Sequence, residues 1–494
     1  MTLRAETGTL LRHPDRFYIG GEWVEPSSTD RIGVIDSATE EEFLTVAEAR
    51  TADVDRAVAA ARLAFDDGPW PRFSPTRRAE FLRAMADGLR KRGGDIAQFW
   101  PRESGVLHAV AQNAAPRSAG LYEFYAGLAD TFSFEEPATP MAGEFGLLVR
   151  EPVGVVGAII PWNGPQITMT TKIVPALLAG CTVILKSSPE APAEGYIIAE
   201  IAEDVGLPAG VLNVLTADRE VSELLVRDPR VDKITFTGST AAGRRIGSIC
   251  GDRVARCTLE LGGKSAAVIL DDMDIATAAT TLARAECNLT GQVCASLTRV
   301  VVTKGRHDAM VEALTAEFAA VRVGDPFTPS SEMGPLVSDR QRDRVLGYIE
   351  KGKAEGAVLA TGGGPPAHLS RGFYVEPTVF GHVDNSSSIA QEEIFGPVLS
   401  VIPSDSEEDS IRIANDTVYG LNASVFTNDP DRAREIARRL KSGTVGHNAP
   451  RVDLHIAFGG FKQSGIGREG GVEGLLPFLE TKTVVLQGRP SGYR

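Results

Sequence analysis

Short apolar runs closed by glycine or proline, each followed by a stretch of helical periodicity, recur along this chain and restrict what it can fold into. Residues 153–160 form such a run and end at Pro161. Residues 182–186 lead into a helical stretch reaching about Asp204, and residues 233–237 run into Gly238-Ser239 and another helix. Strand and helix in alternation need crossover connections, and these make successive strands parallel. An earlier helix over 51–65 repeats Val54, Ala57, Val58, Ala61 and Phe65 at helical spacing. A second series follows Gly262-Gly263: a strand over 265–270, a helix capped by Asp274 and reaching about Asn288, a strand over 298–303, and a helix from about His307. Strands over 398–402, 423–427 and 483–486 extend the pattern. Two α/β domains meeting near Gly262 are expected, with no long linker, repeat or low-complexity tract.

The 494 residues are 43% hydrophobic and 23% charged, which suits ordinary globular cores. A formal net charge of −14 leaves no basic excess for phosphates, so neither nucleic acid nor an anionic membrane is expected as main partner. The N-terminus lacks an apolar core of signal-peptide length, and the apolar runs 153–161 and 173–185 are too short to span a bilayer. The cysteines are Cys181, Cys250, Cys257, Cys287 and Cys294. An odd number without a C-x-x-C pair suggests neither a disulfide framework nor structural zinc, and free thiols fit a reducing cytoplasm. The histidines, His447 and His455 included, show no metal-ligand spacing, so no metal is expected.

Four local patterns carry chemistry. Phe236-Thr-Gly-Ser-Thr-Ala-Ala-Gly243 sets glycine and serine between strand and helix, where backbone N–H groups and Ser239 suit an anionic group such as a pyrophosphate. An ordinary helix cap is the plainer alternative. Cys294, in Gly291-Gln-Val-Cys, lies between a helix and a strand, where a thiol can be reachable and its thiolate tuned. Cys287 lies within the helix and reads as core, and nothing polar marks Cys181, Cys250 or Cys257 as reactive. Glu260, flanked by leucines in Leu259-Glu-Leu-Gly-Gly-Lys264, reads equally as a desolvated general base or an exposed strand residue. Asn163 sits between prolines in Pro161-Trp-Asn-Gly-Pro165, as a stiffened oxyanion donor or a plain turn. Gly465-Ile-Gly-Arg-Glu-Gly470 matches G-x-G-x-x-G only on paper, because no βαβ unit surrounds it.

Together these segments resemble the aldehyde dehydrogenase superfamily over nearly the whole chain. Met333-Gly-Pro-Leu336, Glu392-Glu-Ile-Phe-Gly-Pro397, Phe458-Gly-Gly460 and Ser464-Gly465 join the list, in the family's order and at about its spacing. The resemblance implies two α/β domains with Rossmann-like parallel sheets and a small β bridging element used in oligomerisation. The dinucleotide-binding domain would be 1–129 with 151–262, the catalytic domain 263–478, and the bridge 130–150 with 479–494. A homodimer or homotetramer is expected.

The implied reaction oxidises an aldehyde to a carboxylic acid. Cys294 attacks the aldehyde carbon, and Asn163 with the Cys294 backbone N–H stabilises the oxyanion. Hydride leaves to a nicotinamide ring, and Glu260 activates water to hydrolyse the thioester. Lys172 matches a family lysine near the site that supports thiolate or proton movement. By the same resemblance Lys186 contacts the adenosine ribose, Ser239 the pyrophosphate and Glu393 the nicotinamide ribose, with Phe395 beside it. Ile159, Pro161, Trp162, Ser188, Gly238, Leu261 and Gly262 would line the same groove.

Pro189 stands where many NAD-preferring members have a glutamate that grips the ribose diol, and Glu190 comes one residue late. The expected cofactor is NAD, with NADP use left open. Gly164 and Thr171 replace family aromatics, so a wider pocket is expected, completed by Thr168, Val293, Ala295 and Phe458. It would suit a medium-to-large apolar aldehyde. Alternatives are a coenzyme A-acylating semialdehyde dehydrogenase, a non-enzymatic binding protein on the same fold, and a cysteine hydrolase, for which no His/Asp partner is evident.

Overall fold

A computed structural model describes residue 4 and residues 10–493. Most of the N-terminal segment read for a signal sequence lies outside them. The predicted strands form where the apolar runs stood: Val155–Ile159, Thr182–Ser187, Lys233–Thr237, Ala266–Ile269, Arg299–Thr303, Val398–Ser404, Asn422–Phe426 and Leu479–Leu486. The helix expected from His307 starts earlier, at Lys304, because the chain turns directly out of the Arg299–Thr303 strand. Asp274 caps the Ile275–Cys287 helix, accepting from the Thr277 N–H at 2.8 Å.

Two sheets organise the molecule. The first has eight strands in the order Gly465–Ile466, Arg256–Glu260, Lys233–Thr237, Val155–Ile159, Thr182–Ser187, Leu212–Thr216, Phe17–Ile19 and Glu22–Val24. Its central pairs are parallel, and the pairs at both edges are antiparallel. From Val155–Ile159 the chain moves outward through two strands, then returns to place Lys233–Thr237 on the other side. That reversal opens a crevice at the carboxyl ends of these two strands, where α/β sheets bind ligands. The second sheet has seven strands, centred on Arg299–Thr303 between Val398–Ser404 and Ala266–Ile269, with Asn422–Phe426 beside the latter. A three-stranded sheet pairs Leu479–Leu486 and Glu135–Ala138 with Phe145–Pro152.

The first sheet is covered on one face by Thr51–Asp66, Arg219–Arg227 and Thr240–Asp252, through Val58, Leu225, Ile246 and Ile249. Its other face carries Pro165–Ala179, backed by Pro75–Lys91 and Ala114–Thr131. The last two helices were not legible as elements in the sequence. The buried stripe of Ala114–Thr131 is made largely of Ala115, Ser118, Ala119, Tyr122, Tyr125 and Ala126, so its apolar contrast in the sequence is weak. Among the described residues, no helix is long and apolar enough to cross a membrane.

Arg299 anchors the second sheet to its loops. It is 1% exposed, and its guanidinium donates to the carbonyls of Lys264 (2.9 Å), Ile413 (2.9 Å) and Ala414 (2.8 Å) and to Asn385 Oδ1 (3.1 Å). Replacing it strands buried acceptors. Arg299→Ala is expected to lower stability by about 3 kcal/mol, read from the urea midpoint and slope. A loss below about 0.5 kcal/mol, ordinary for a neutral surface change, would show that these bonds do not anchor the loops.

Candidate active site

The predicted residues converge between the carboxyl ends of the first sheet and the amino ends of the second. Glu260 ends the Arg256–Glu260 strand, and Pro161, Trp162 and Asn163 follow Val155–Ile159. Cys294 comes just before Arg299–Thr303, and the next carbonyl, that of Ala295, accepts from Asn422 Nδ2 at 2.9 Å where Asn422–Phe426 begins. Trp162 meets Phe395 edge-on, with ring centroids 5.4 Å apart.

Glu260 is no exposed strand residue: it is 3% exposed and neither carboxylate oxygen has a protein partner. Gly459, at φ +151°, makes the room, because a Cβ there would lie 2.7 Å from Glu260 Oε1. Burial first, then the neighbouring Glu469 charge, raise the Glu260 carboxyl well above the ordinary range, while Lys172 and Arg468 oppose them. Lys172 Nζ, fully buried, donates to Thr237 Oγ1 at 2.6 Å and pairs with Glu469.

Glu469 is the principal residue the sequence reading missed. It lies inside the glycine-rich segment set aside as a false dinucleotide motif, far along the chain from Lys172. Gly465–Ile466 in that segment is itself a strand, pairing Gly465 with Glu260. Thr171, expected as a pocket wall, is buried and spends its hydroxyl on Glu469 Oε2 at 2.8 Å. Phe458 exchanges backbone hydrogen bonds of 2.7 Å with Glu469.

Cys294 is half-buried. Its thiol is pushed up to about 12 by burial, then by the charges of Glu393 and Glu260. The expected tuned thiolate is therefore absent from the protein alone. The turn before it is strained, with Leu289 and Thr290 at φ +48° and +57°. Asn163 Nδ2 donates to the Gln292 carbonyl at 2.9 Å, and the Asn163 carbonyl accepts from Trp100 Nε1 at 3.1 Å. Ser104 Oγ donates to the Trp162 carbonyl at 2.6 Å. Gln292 joins both sides: its amide donates to the Ser104 carbonyl at 3.2 Å and accepts from the Val337 N–H at 2.9 Å. No local pattern exposes Trp100, Ser104 or Gln292 as positioning residues, because their partners are distant in sequence. Ala295 is buried, while Val293, Thr168 and Phe458 are half-buried; Thr168 Oγ1 donates to the Gly164 carbonyl at 2.8 Å.

The groove residues fit a dinucleotide. Ser239 is exposed at the start of Thr240–Asp252, where its hydroxyl accepts from the Ala242 N–H at 3.3 Å. Gly238 precedes it, and Leu261 packs near Gly243 of the same helix. Burial lowers the Lys186 amine to about 8, against Glu190 and Asp218, which raise it. Glu190 lies one residue past Pro189, in the turn after Thr182–Ser187. It accepts from Ser188 Oγ and pairs with Arg340 at 3.0 Å. Glu393 accepts from the Gly263 N–H at 3.0 Å, and a Cβ at Gly262 would lie 2.5 Å from its carboxylate. A half-buried carboxylate against bare backbone suits ribose hydroxyls, and a helix start suits a pyrophosphate.

The histidines are less scattered than expected. His307, Asp308 and His382 bring potential ligand atoms within 4.8 Å of one another. However, His307 Nε2 accepts from the His382 N–H at 3.0 Å, which places the ring proton on Nδ1, facing Asp308 at 2.8 Å. A metal on Nδ1 would require the opposite tautomer.

The aldehyde dehydrogenase family model matches residues 23–484. A geranial dehydrogenase of Castellaniella defragrans is 43% identical over 95% of this chain and 98% of its own length. An aldehyde dehydrogenase of Mycobacterium tuberculosis, solved with NAD+, is 45% identical and superposes with a TM-score of 0.94 over 97% of this chain and 99% of its own. Aldehyde dehydrogenase C of Pseudomonas syringae, a cysteine-to-alanine variant solved with NAD+ and octanal, is 38% identical, with a TM-score of 0.93 over 97% and 98%. The chain is an enzyme of the aldehyde dehydrogenase family.

The charges around Glu260 give a signed test. A general base at this position would have to be ionised, so the rate it supports should rise with pH through the raised Glu260 value. Glu469→Gln removes a charge that raises it and should move this limb of the rate profile to lower pH. Lys172→Met removes a charge that lowers it and should move the limb higher. Limbs that stay in place in both variants would refute the coupling.

Proposed function

We propose that this enzyme oxidises a medium-to-large apolar aldehyde to its carboxylic acid, with NAD as hydride acceptor. The observation that carries the reading is the meeting of Cys294, Glu260 and Asn163 at the edge of the groove lined by Lys186, Ser239 and Glu393. In this reading Cys294 is the nucleophile, and the second Asn163 amide hydrogen, left over from Gln292, faces the developing oxyanion with the Cys294 N–H. Bound oxidised NAD supplies a hydride acceptor and a positive ring charge. Glu260 takes a proton from water to hydrolyse the thioester on Cys294, and Lys172, Glu469 and Thr237 hold the charges beside it. The raised Glu260 carboxyl is a stronger base once ionised than an exposed carboxylate. It also favours water over coenzyme A as acyl acceptor, since a thiol needs that base less.

Cys294→Ala should cost at least about a thousandfold in rate, as loss of a nucleophile does. Glu260→Gln should slow steady turnover by about 10²–10⁴-fold, yet still release one reduced cofactor per site in a fast burst. Turnover of Glu260→Gln at the normal rate without added thiol would refute the hydrolytic role.

The substrate reading rests on the mouth. Gly164 contributes no side chain, and Phe124, Ile167 and Leu454 are partly buried apolar neighbours on one core cluster. Val452 and Ile456 stand exposed nearby in sequence to Phe458. The relatives named for geranial and solved with octanal agree with an apolar substrate. The cofactor preference rests on the Glu190 carboxylate, close enough to raise the Lys186 amine and to oppose a 2′-phosphate. We also place the domain divisions near the expected boundaries, except that Gly465–Ile466 joins the first sheet and the bridge strand reaches Pro152, with a cytoplasmic dimer or tetramer joined through the three-stranded sheet. Its Leu479–Leu486 strand has one unpaired edge and leaves Val485 53% exposed.

Across straight-chain aldehydes of two to eight carbons, kcat/KM with NAD should climb about two- to fourfold per methylene. It should exceed the value with NADP throughout, and Glu190→Gln should narrow that gap. A flat series would refute the apolar pocket, and an NADP preference would refute the role of Glu190.

A further inference from the structure

We infer that Cys250 and Cys257 are a redox-active thiol pair that closes to an intrachain disulfide on exposure to hydrogen peroxide. Sequence alone marked neither residue as reactive. Cys250 lies in the last turn of Thr240–Asp252, and Cys257 is the second residue of Arg256–Glu260. The link between them doubles back, with the Ala255 N–H donating to the Cys250 carbonyl at 2.8 Å. Val254, at φ +55° and 76% exposed, forms the bend in a conformation that β-branched residues rarely adopt.

Strand alternation then brings the sulfurs together. Cys257 and Leu259 point to the face covered by the helix and share a core cluster with Ile246, Ile249 and Cys250. Glu260 points the other way, toward Lys172 and Glu469. The two thiols interact, which holds Cys257 below and Cys250 above the ordinary thiol range, with help for Cys257 from Lys233 on the paired strand. Cys250 is buried and Cys257 only half-buried, so an oxidant reaches Cys257 first. Burial pushes Cys181 up to about 11 and Cys294 up to about 12, whereas Cys257 is held below the ordinary thiol range and is half-buried.

The chemistry balances. The Cys257 thiolate attacks one peroxide oxygen, the O–O bond breaks, and with one proton the other oxygen leaves as water. Cys250 sulfur then attacks the Cys257 sulfenic acid; an S–S bond forms and a second water leaves. Two thiols lose two electrons and peroxide becomes two waters. The bond would staple the helix that begins beside Ser239 to the strand that ends in Glu260.

Trypsin cuts after Arg245, Arg253, Arg256 and Lys264, so the two cysteines fall in separate peptides, 246–253 and 257–264. The reduced full-length protein is treated with equimolar hydrogen peroxide, alkylated, digested and analysed by mass spectrometry. The expected product is those two peptides linked, with an intact mass lower by two hydrogens, reversed by dithiothreitol. In Cys250→Ser the link is lost and Cys257 stops at the sulfenic acid, which dimedone traps. Oxidation of Cys294 before Cys257, a Cys257 that alkylates unchanged, or a linkage between protomers on a non-reducing gel would each overturn the inference.

Discussion

Two glycines set how closely the halves of this enzyme approach. A Cβ on Gly262 would strike the Glu393 carboxylate, and one on Gly263 would stand 2.4 Å from the Cys294 carbonyl. With neither present, the backbone leaving the first sheet passes directly against the loops of the second. Ser464 Oγ donates to the Gly262 carbonyl at 2.7 Å, and Arg299 holds the Lys264 carbonyl a step later. This crossing brings residues from both sheets and from the C-terminal glycine-rich segment into one site. Any side chain there would push the carboxylate and the sulfur apart.

What gathers at the crossing is costly to bury. Glu260 has no hydrogen-bond partner for either oxygen, and the Lys264 amine, also unpartnered and buried, is lowered to about 7. Buried polar groups without partners oppose folding. The large apolar clusters on both faces of each sheet offset that cost. Strain at Leu289, Thr290 and Phe395 is likewise confined to loops around Cys294 and Glu393.

Legibility followed the range of the interactions. The Lys233–Thr237 strand was readable to the residue because its apolar run stops at a glycine turn. The Asp274 cap was readable because a cap bonds within one turn. Cys294, Glu260 and Asn163 were each ambiguous alone and became a set only through their shared resemblance to a family. Glu469 and Gln292 stayed hidden, since Glu469 meets Lys172 across 297 residues and Gln292 meets Asn163 across 129. The Cys250–Cys257 contact was hidden too, because it depends on which strand face the helix covers.

Sequence alone determined the parallel α/β architecture, the order of its strands along the chain and the identity of the reactive residue types. Periodicity, turn chemistry and side-chain composition are local properties, written in consecutive residues. Tertiary structure alone decided that Glu260 is desolvated rather than exposed, that Lys172 faces Glu469, and that the Cys294 thiol is held up first by burial and then by two carboxylates. Those are consequences of burial and of charge at short range through space, and neither can be computed from neighbours in the chain.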